Sequence, residues 1–164
     1  MRNQLFLLLV GFVCTLSSTF AQSGLPSVDV KSLDGATLKA NEVVSNEGPV
    51  IVSFWAMWCK PCVRELTNIS EVYEDWQEET GVKLVAVSID AAQRAREVRP
   101  FVEVRDWPFE VLLDENRALM QALNVINVPH TILFDQSGKI IYQHTSYADG
   151  DEEELYEHLL EISN

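Results

Sequence analysis

Residues 50–55 form a near-continuous apolar run, Val50-Ile51-Val52-Ser53-Phe54-Trp55, and the chain then presents two cysteines separated by two residues, Cys59-Lys60-Pro61-Cys62. A run of that length without alternation reads as a strand buried on both faces. The segment that follows is amphipathic at helical spacing, so the strand delivers both cysteines to the mouth of a helix. Pro61 has a preset φ and no N–H to lose, which suits a first helical turn. At that mouth the unpaired backbone N–H groups and the positive end of the dipole favour a thiolate over a thiol. Cys62 lies three residues further on along the same helix face, within disulfide reach of Cys59. One sulfur is then near solvent with the other beneath it, the geometry of a dithiol that opens and closes.

Trp58-Cys59-Lys60-Pro61-Cys62, preceded by Val52-Ser53-Phe54-Trp55-Ala56, resembles the active site of thioredoxin-like proteins, specifically the exported thiol-disulfide oxidoreductases of TlpA/ResA type. A second stretch, Val128-Pro129-His130-Thr131-Ile132-Leu133-Phe134-Asp135, resembles that family's cis-proline loop and the strand after it. The resemblance runs from about Pro26 to the C-terminus, and two motifs in the right order are far more specific than a lone CxxC.

The first residues are set apart from the fold. Arg2 is a short positive region, residues 5–16 are apolar, and Thr19-Phe20-Ala21 places small residues at the −3 and −1 positions of a cleavage site. Residues 1–21 are therefore expected to be a signal peptide and residues 22–164 a single thioredoxin-like domain. The product would be exported, periplasmic or extracytoplasmic, an uncleaved membrane anchor being the minority alternative. Cys14 lies in the apolar region, which leaves only Cys59 and Cys62 in the mature chain. A disulfide-stapled secreted domain would carry more cysteines, spread along its length. A bridge enclosing two residues restricts the unfolded chain little, so stapling explains this pair poorly. The 25 Asp+Glu against 12 Lys+Arg speak against nucleic acid and anionic membrane surfaces as partners. The acidic excess, at residues 71–79 and 149–157, reads as solvated helix faces.

In chain order, residues 28–30 and 36–38 flank the Asp34-Gly35 turn signal and predict a small hairpin ahead of the main fold. Asn46-Glu47-Gly48-Pro49 is a loop. After Pro61, Val63, Leu66, Ile69, Val72, Tyr73 and Trp76 form one helical stripe that stops at Gly81. Residues 82–89 predict a buried parallel strand, and 91–104 a helix kinked or restarted at Pro100. Residues 109–113 predict a strand, 115–123 a short helix, 130–134 and 140–142 a strand–turn–strand unit, and 151–162 a closing helix. This is an α/β fold, a mixed central sheet with helices on both faces. The thioredoxin fold is the same, and the segment between Asp90 and Asp114 resembles the insertion that separates TlpA/ResA-like proteins from plain thioredoxin.

The chemistry falls to a few residues. Cys59 is the expected nucleophile, forming a mixed disulfide with substrate that Cys62 resolves. Lys60 brings a positive charge beside the sulfurs or is a surface lysine. Trp58 shields one flank of the disulfide and is a plausible substrate contact, whereas Trp55 reads as core. In ResA-like proteins an acidic residue three positions after the second cysteine lies close to the dithiol. That makes Glu65 a candidate base for Cys62, the alternative being a solvated helix glutamate. Thioredoxin's buried strand aspartate is replaced here by Ser53, which cannot act as a carboxylate. By resemblance Pro129 is cis, and the peptide joining it to Val128 offers hydrogen bonds to an extended substrate. His130 tunes the local potential or is a loop histidine without a catalytic part. His144 and His158 have no partner that the sequence assigns. Where the family often has a kinking proline after the second cysteine, Leu66-Thr67 stand, predicting a straighter helix.

The leading expectation is an enzyme reducing disulfides of exported proteins through the Cys59–Cys62 couple, as a monomer, with no metal and no cofactor beyond that disulfide. Its oxidising compartment would require a membrane thiol electron donor. The resemblance adds cytochrome c maturation as a common role. Alternatives are a disulfide-donating oxidase or isomerase, a peroxiredoxin, and a non-catalytic thioredoxin-fold binding or metal-carrier module. The peroxiredoxin lacks its Thr/Pro-flanked loop, and a closed zinc site lacks a second cysteine pair.

Overall fold

The computed structural model describes residues 24–43 and 48–163. The expected signal segment, residues 1–21, and Asn46 and Glu47 of the predicted loop lie outside them. The described residues form seven strands and five helices in the order β1 Asp29–Ser32, β2 Thr37–Lys39, α1 Ala40–Val43, β3 Val50–Trp55, α2 Lys60–Thr80, β4 Lys83–Ser88, α3 Ala92–Glu103, β5 Glu110–Leu113, α4 Ala118–Ala122, β6 His130–Phe134, β7 Ile140–Thr145 and α5 Asp151–Ser163. One mixed sheet holds all the strands, in the order β2-β1-β5-β4-β3-β6-β7.

Every residue of β3 is buried, as its unbroken apolar run requires, and it lies parallel to β4 and antiparallel to β6. The segment between Asp90 and Asp114 becomes α3 and β5, and β5 pairs parallel to β4. The insertion thus adds a crossover helix and a strand to the sheet. The N-terminal hairpin is not a separate appendage: β1 pairs antiparallel with β5 and extends the same sheet. Helix α2 runs unbroken for 21 residues, and Gly81, at φ 68°, ends it in the left-handed region that glycine occupies without strain.

Three boundaries differ from expectation, each for a local reason. Pro100 sits inside α3, which continues through it, Val104 N–H donating to the Pro100 carbonyl. Helix α4 starts late because Arg117 is in the left-handed region and the buried Asp114 carboxylate instead receives the N–H groups of Leu119 and Met120. Strand β7 extends three residues past the apolar stretch, since as an edge strand it needs pairing with β6 alone.

Trp55, fully buried as expected of a core residue, lies 5.0 Å from the Trp107 ring, edge to face, and 5.7 Å from Phe101 of α3. This aromatic cluster ties the end of β3 to the insertion. Its indole N–H has no partner among the described residues, so the ring contributes through packing. Trp55→Ala is expected to lower unfolding free energy by about 3–5 kcal/mol in denaturant titrations. Trp55→Phe should cost well under half as much, because it keeps an aromatic ring and removes an unsatisfied donor.

Candidate active site

The site grows from the junction of β3 and α2. After Trp55 the chain turns, the Cys59 N–H donating to the Ala56 carbonyl at 3.0 Å. Cys59 has extended backbone and stands immediately before the first helical residue, with Pro61 in the first turn. The Cys62 N–H points at the Cys59 sulfur, 3.4 Å away. The two cysteines are joined in a disulfide with their Cα atoms 5.3 Å apart. Cys59 retains 5 % exposure and Cys62 none, so substrate can reach only the first sulfur. When the bridge opens, that sulfur keeps both the Cys62 N–H and the positive end of a six-turn helix, which favour its thiolate. Lys60 and Pro61 are exposed beside it.

The Val128–Pro129 peptide is cis, as the resemblance implied. Strand β6 begins at the next residue and pairs His130 with Phe54, which brings Pro129 to the end of the sheet that carries the cysteines. Trp58 is 57 % exposed, and Ile126, in the loop before the cis peptide, is 83 % exposed. From Met57 and Trp58 a groove of about 470 Å³ runs over α3 to Phe101, Val104 and Arg105. Arg105 covers the Phe101 ring at 3.5 Å, and Val104 is 86 % exposed at the rim. The insertion therefore supplies one wall of the approach to the disulfide.

Glu65 is 1 % exposed, which excludes a solvated helix glutamate. Its Oε1 accepts from the Thr131 hydroxyl at 2.5 Å and lies 3.1 Å from His144 Nε2, while Oε2 is buried without a partner among the described residues. Thr131 Oγ1 is also 3.0 Å from the hydroxyl of Ser53, the residue at the place of thioredoxin's aspartate. This polar group is thus shared between α2 and three strands. His130 lies half-buried at the start of β6, its Nε2 3.3 Å from Gln143 Oε1, and burial pushes its pKa below the ordinary value, against the raising effect of that hydrogen bond to Gln143.

Two residues that sequence reasoning did not assign belong to this region. His144, left without a partner, pairs with Glu65; its signal lay in strand register, which places it opposite Thr131. Asp90 follows β4 and is 2 % exposed, and its Oδ2 accepts from the Met57 N–H at 2.9 Å and from the Ser88 hydroxyl at 3.0 Å. It pins the turn that leads into Trp58 and Cys59, and an acidic residue directly after a buried strand was the available clue. His158 lies 3.3 Å from Glu161 and stacks on Tyr142, taking no part in the site. Among the described residues no group of three or more His, Cys, Asp or Glu could hold a metal ion.

A pKa held down in the folded state means that the unfolded chain binds the His130 proton more readily. The stability this contributes is present above the ordinary value of 6.5 and is lost as pH falls below it. Wild type should therefore lose stability relative to His130→Asn between about pH 7 and pH 5, read as the difference between their denaturation midpoints. A pH-independent difference would contradict the burial effect.

The AhpC/TSA family profile matches residues 22–143. The chain is 30% identical over 138 residues to the thiol-disulfide oxidoreductase ResA of Bacillus thuringiensis subsp. konkukian, covering 84% of this chain and 76% of that protein. It is 30% identical over 122 residues to sporulation thiol-disulfide oxidoreductase A of Bacillus subtilis, covering 73% and 71%. The solution structure of an uncharacterized thioredoxin-like protein from Porphyromonas gingivalis matches with a TM-score of 0.76 at 46% identity, over 85% of this chain and 91% of that one. Among the described residues no helix is long and apolar enough to cross a membrane. The chain belongs to the AhpC/TSA family and is a thiol-disulfide oxidoreductase of ResA type with the thioredoxin fold.

Proposed function

We propose that this oxidoreductase works as a reductase of disulfides in exported proteins. The observation that carries the reading is the asymmetric pair at the head of α2: Cys59 reachable and capping the helix, Cys62 fully buried beside it. In the reduced enzyme the Cys59 thiolate attacks a substrate disulfide, forming a mixed disulfide and releasing one substrate thiolate. Cys62 then loses its proton to Glu65 and attacks the Cys59 sulfur. The Cys59–Cys62 bond forms, the mixed disulfide breaks, and the second substrate thiolate leaves. The substrate disulfide gains two electrons and the enzyme dithiol gives them up.

Trp58 and the Val128–Pro129 peptide hold the extended substrate segment against the disulfide, and the groove along α3 receives its flanking residues. Lys60 and Pro61 tune the couple from the first turn of the helix, and His130 does so from the start of β6. In an oxidising compartment a membrane thiol donor restores the dithiol, and apocytochromes awaiting haem are one class of substrate. The protein acts as a monomer after removal of residues 1–21.

Cys59→Ser should abolish reduction of protein disulfides such as those of insulin. Cys62→Ser should accumulate a covalent mixed disulfide with substrate that dithiothreitol releases, detected by intact-mass spectrometry. A Cys59→Ser variant with undiminished turnover, or a Cys62→Ser variant that forms no adduct, would overturn the reading.

A further inference from the structure

Strand register lines up three polar side chains across the sheet. Ser53 of β3 pairs with Thr131 of β6, and Thr131 pairs with His144 of β7. Directly paired residues stand on the same face of a sheet. Ser53 and Thr131 are fully buried, and the His144 side chain is 13% exposed at the sheet's edge strand. Glu65 reaches this row from α2.

Proton bookkeeping fixes the direction of the bonds. A hydroxyl has a single proton to give. If Thr131 donates to Glu65 Oε1, at the shorter distance of 2.5 Å, it must accept from Ser53 at 3.0 Å. An ionised carboxylate only accepts, so His144 meets Oε1 as the tautomer or cation that carries a proton on Nε2. Both hydrogen bonds of Glu65 among the described residues therefore converge on Oε1. Oε2 is buried with no hydrogen-bond partner among the described residues, on a residue three positions after Cys62 on the same helix face. The base is held by one oxygen and left open at the other.

We propose that His144 is the positioning residue for Glu65: with Thr131 it clamps Oε1, so that Oε2 stays turned and unoccupied for the Cys62 proton in the resolving step. This rests on Glu65 being the base of the proposed reaction. In that step the Cys62 S–H bond breaks, its proton goes to Oε2, and the sulfur's electron pair forms the bond to Cys59 as the substrate thiolate departs. Without the clamp the carboxyl can rotate about its terminal torsion, which is broad, and turn Oε2 out of the position that takes the Cys62 proton.

The test uses the reduced protein carrying Cys14→Ser, so that Cys59 and Cys62 are its only thiols, and dithionitrobenzoate, which releases one thionitrobenzoate when Cys59 attacks and a second when Cys62 resolves, both followed by stopped-flow absorbance. His144→Leu should slow the second release by about tenfold or more, part of the roughly 10²–10⁴-fold that a general base contributes, and leave the first within about twofold. His144→Gln, whose amide can still donate to Oε1, should recover most of the second rate. Glu65→Gln should slow the second release as well, and adding His144→Leu to it should slow it no further, because the two act as one unit. An unslowed second release in His144→Leu, an equal slowing of both releases, failure of His144→Gln to recover, or additive losses in the double variant would each overturn the assignment. A wild-type protein that gives only the first release would instead overturn the role of Cys62 and, with it, the proposed function.

Discussion

The Cys59 sulfur caps α2, and the rest of the structure serves to hold that cap in place. A helix start has N–H groups with no partner inside the helix. Here one of them, from Cys62, points at a sulfur that is alternately half of a disulfide and a nucleophile. The cap works only if the helix start cannot move relative to the sheet. β3, buried along its whole length, fixes it from behind, and Asp90 fixes the turn between them by accepting the Met57 N–H. The Trp55–Trp107–Phe101 cluster anchors the same turn to the insertion. The cis-proline loop arrives at the same end of the sheet because β6 pairs with β3 in the one register that places His130 against Phe54.

Beneath the cap the sheet departs from the packing that its strands otherwise follow. Ser53, Thr131, Glu65 and His144 occupy space that aliphatic side chains would fill at less desolvation cost. A buried carboxyl oxygen without a partner costs about 1–3 kcal/mol. Such violations of core chemistry are expected where a protein gives up stability for function. On the helix face that carries Cys62, the cluster keeps a carboxyl group where solvent does not reach. On the other side of the disulfide the insertion builds a surface of mixed character, in which Trp58, Val104 and Phe101 stand beside Arg94, Glu97 and Arg105.

What could be read from the chain was whatever is encoded locally. The apolar run into a CxxC fixes a strand, a turn and a helix start within a dozen residues, whereas the cis state of Val128-Pro129 came from the resemblance, since an X–Pro bond does not by itself choose its isomer. Glu65 was placed on the Cys62 face because three residues is a helical interval, and its candidate role came from the resemblance. His144 and Asp90 were not, because their roles arise from which strands become neighbours. His144 meets Glu65 through the pairing of β7 with β6, 79 residues away in sequence. Its strand was also read too short, since Gln143-His144-Thr145 has none of the apolar character that marks an interior strand. The N-terminal hairpin was legible as a hairpin, but its pairing with β5 depends on an insertion whose strand had no visible partner.

The account stands most directly on the reduction potential of the Cys59–Cys62 couple, measured by equilibrating the protein against a thiol buffer of known potential. A reductase recharged by a membrane thiol donor should lie toward the thioredoxin end of the range, at roughly −270 mV. A value near −120 mV, where the dithiol is the stabilised form, would contradict it and make the protein a donor of disulfides.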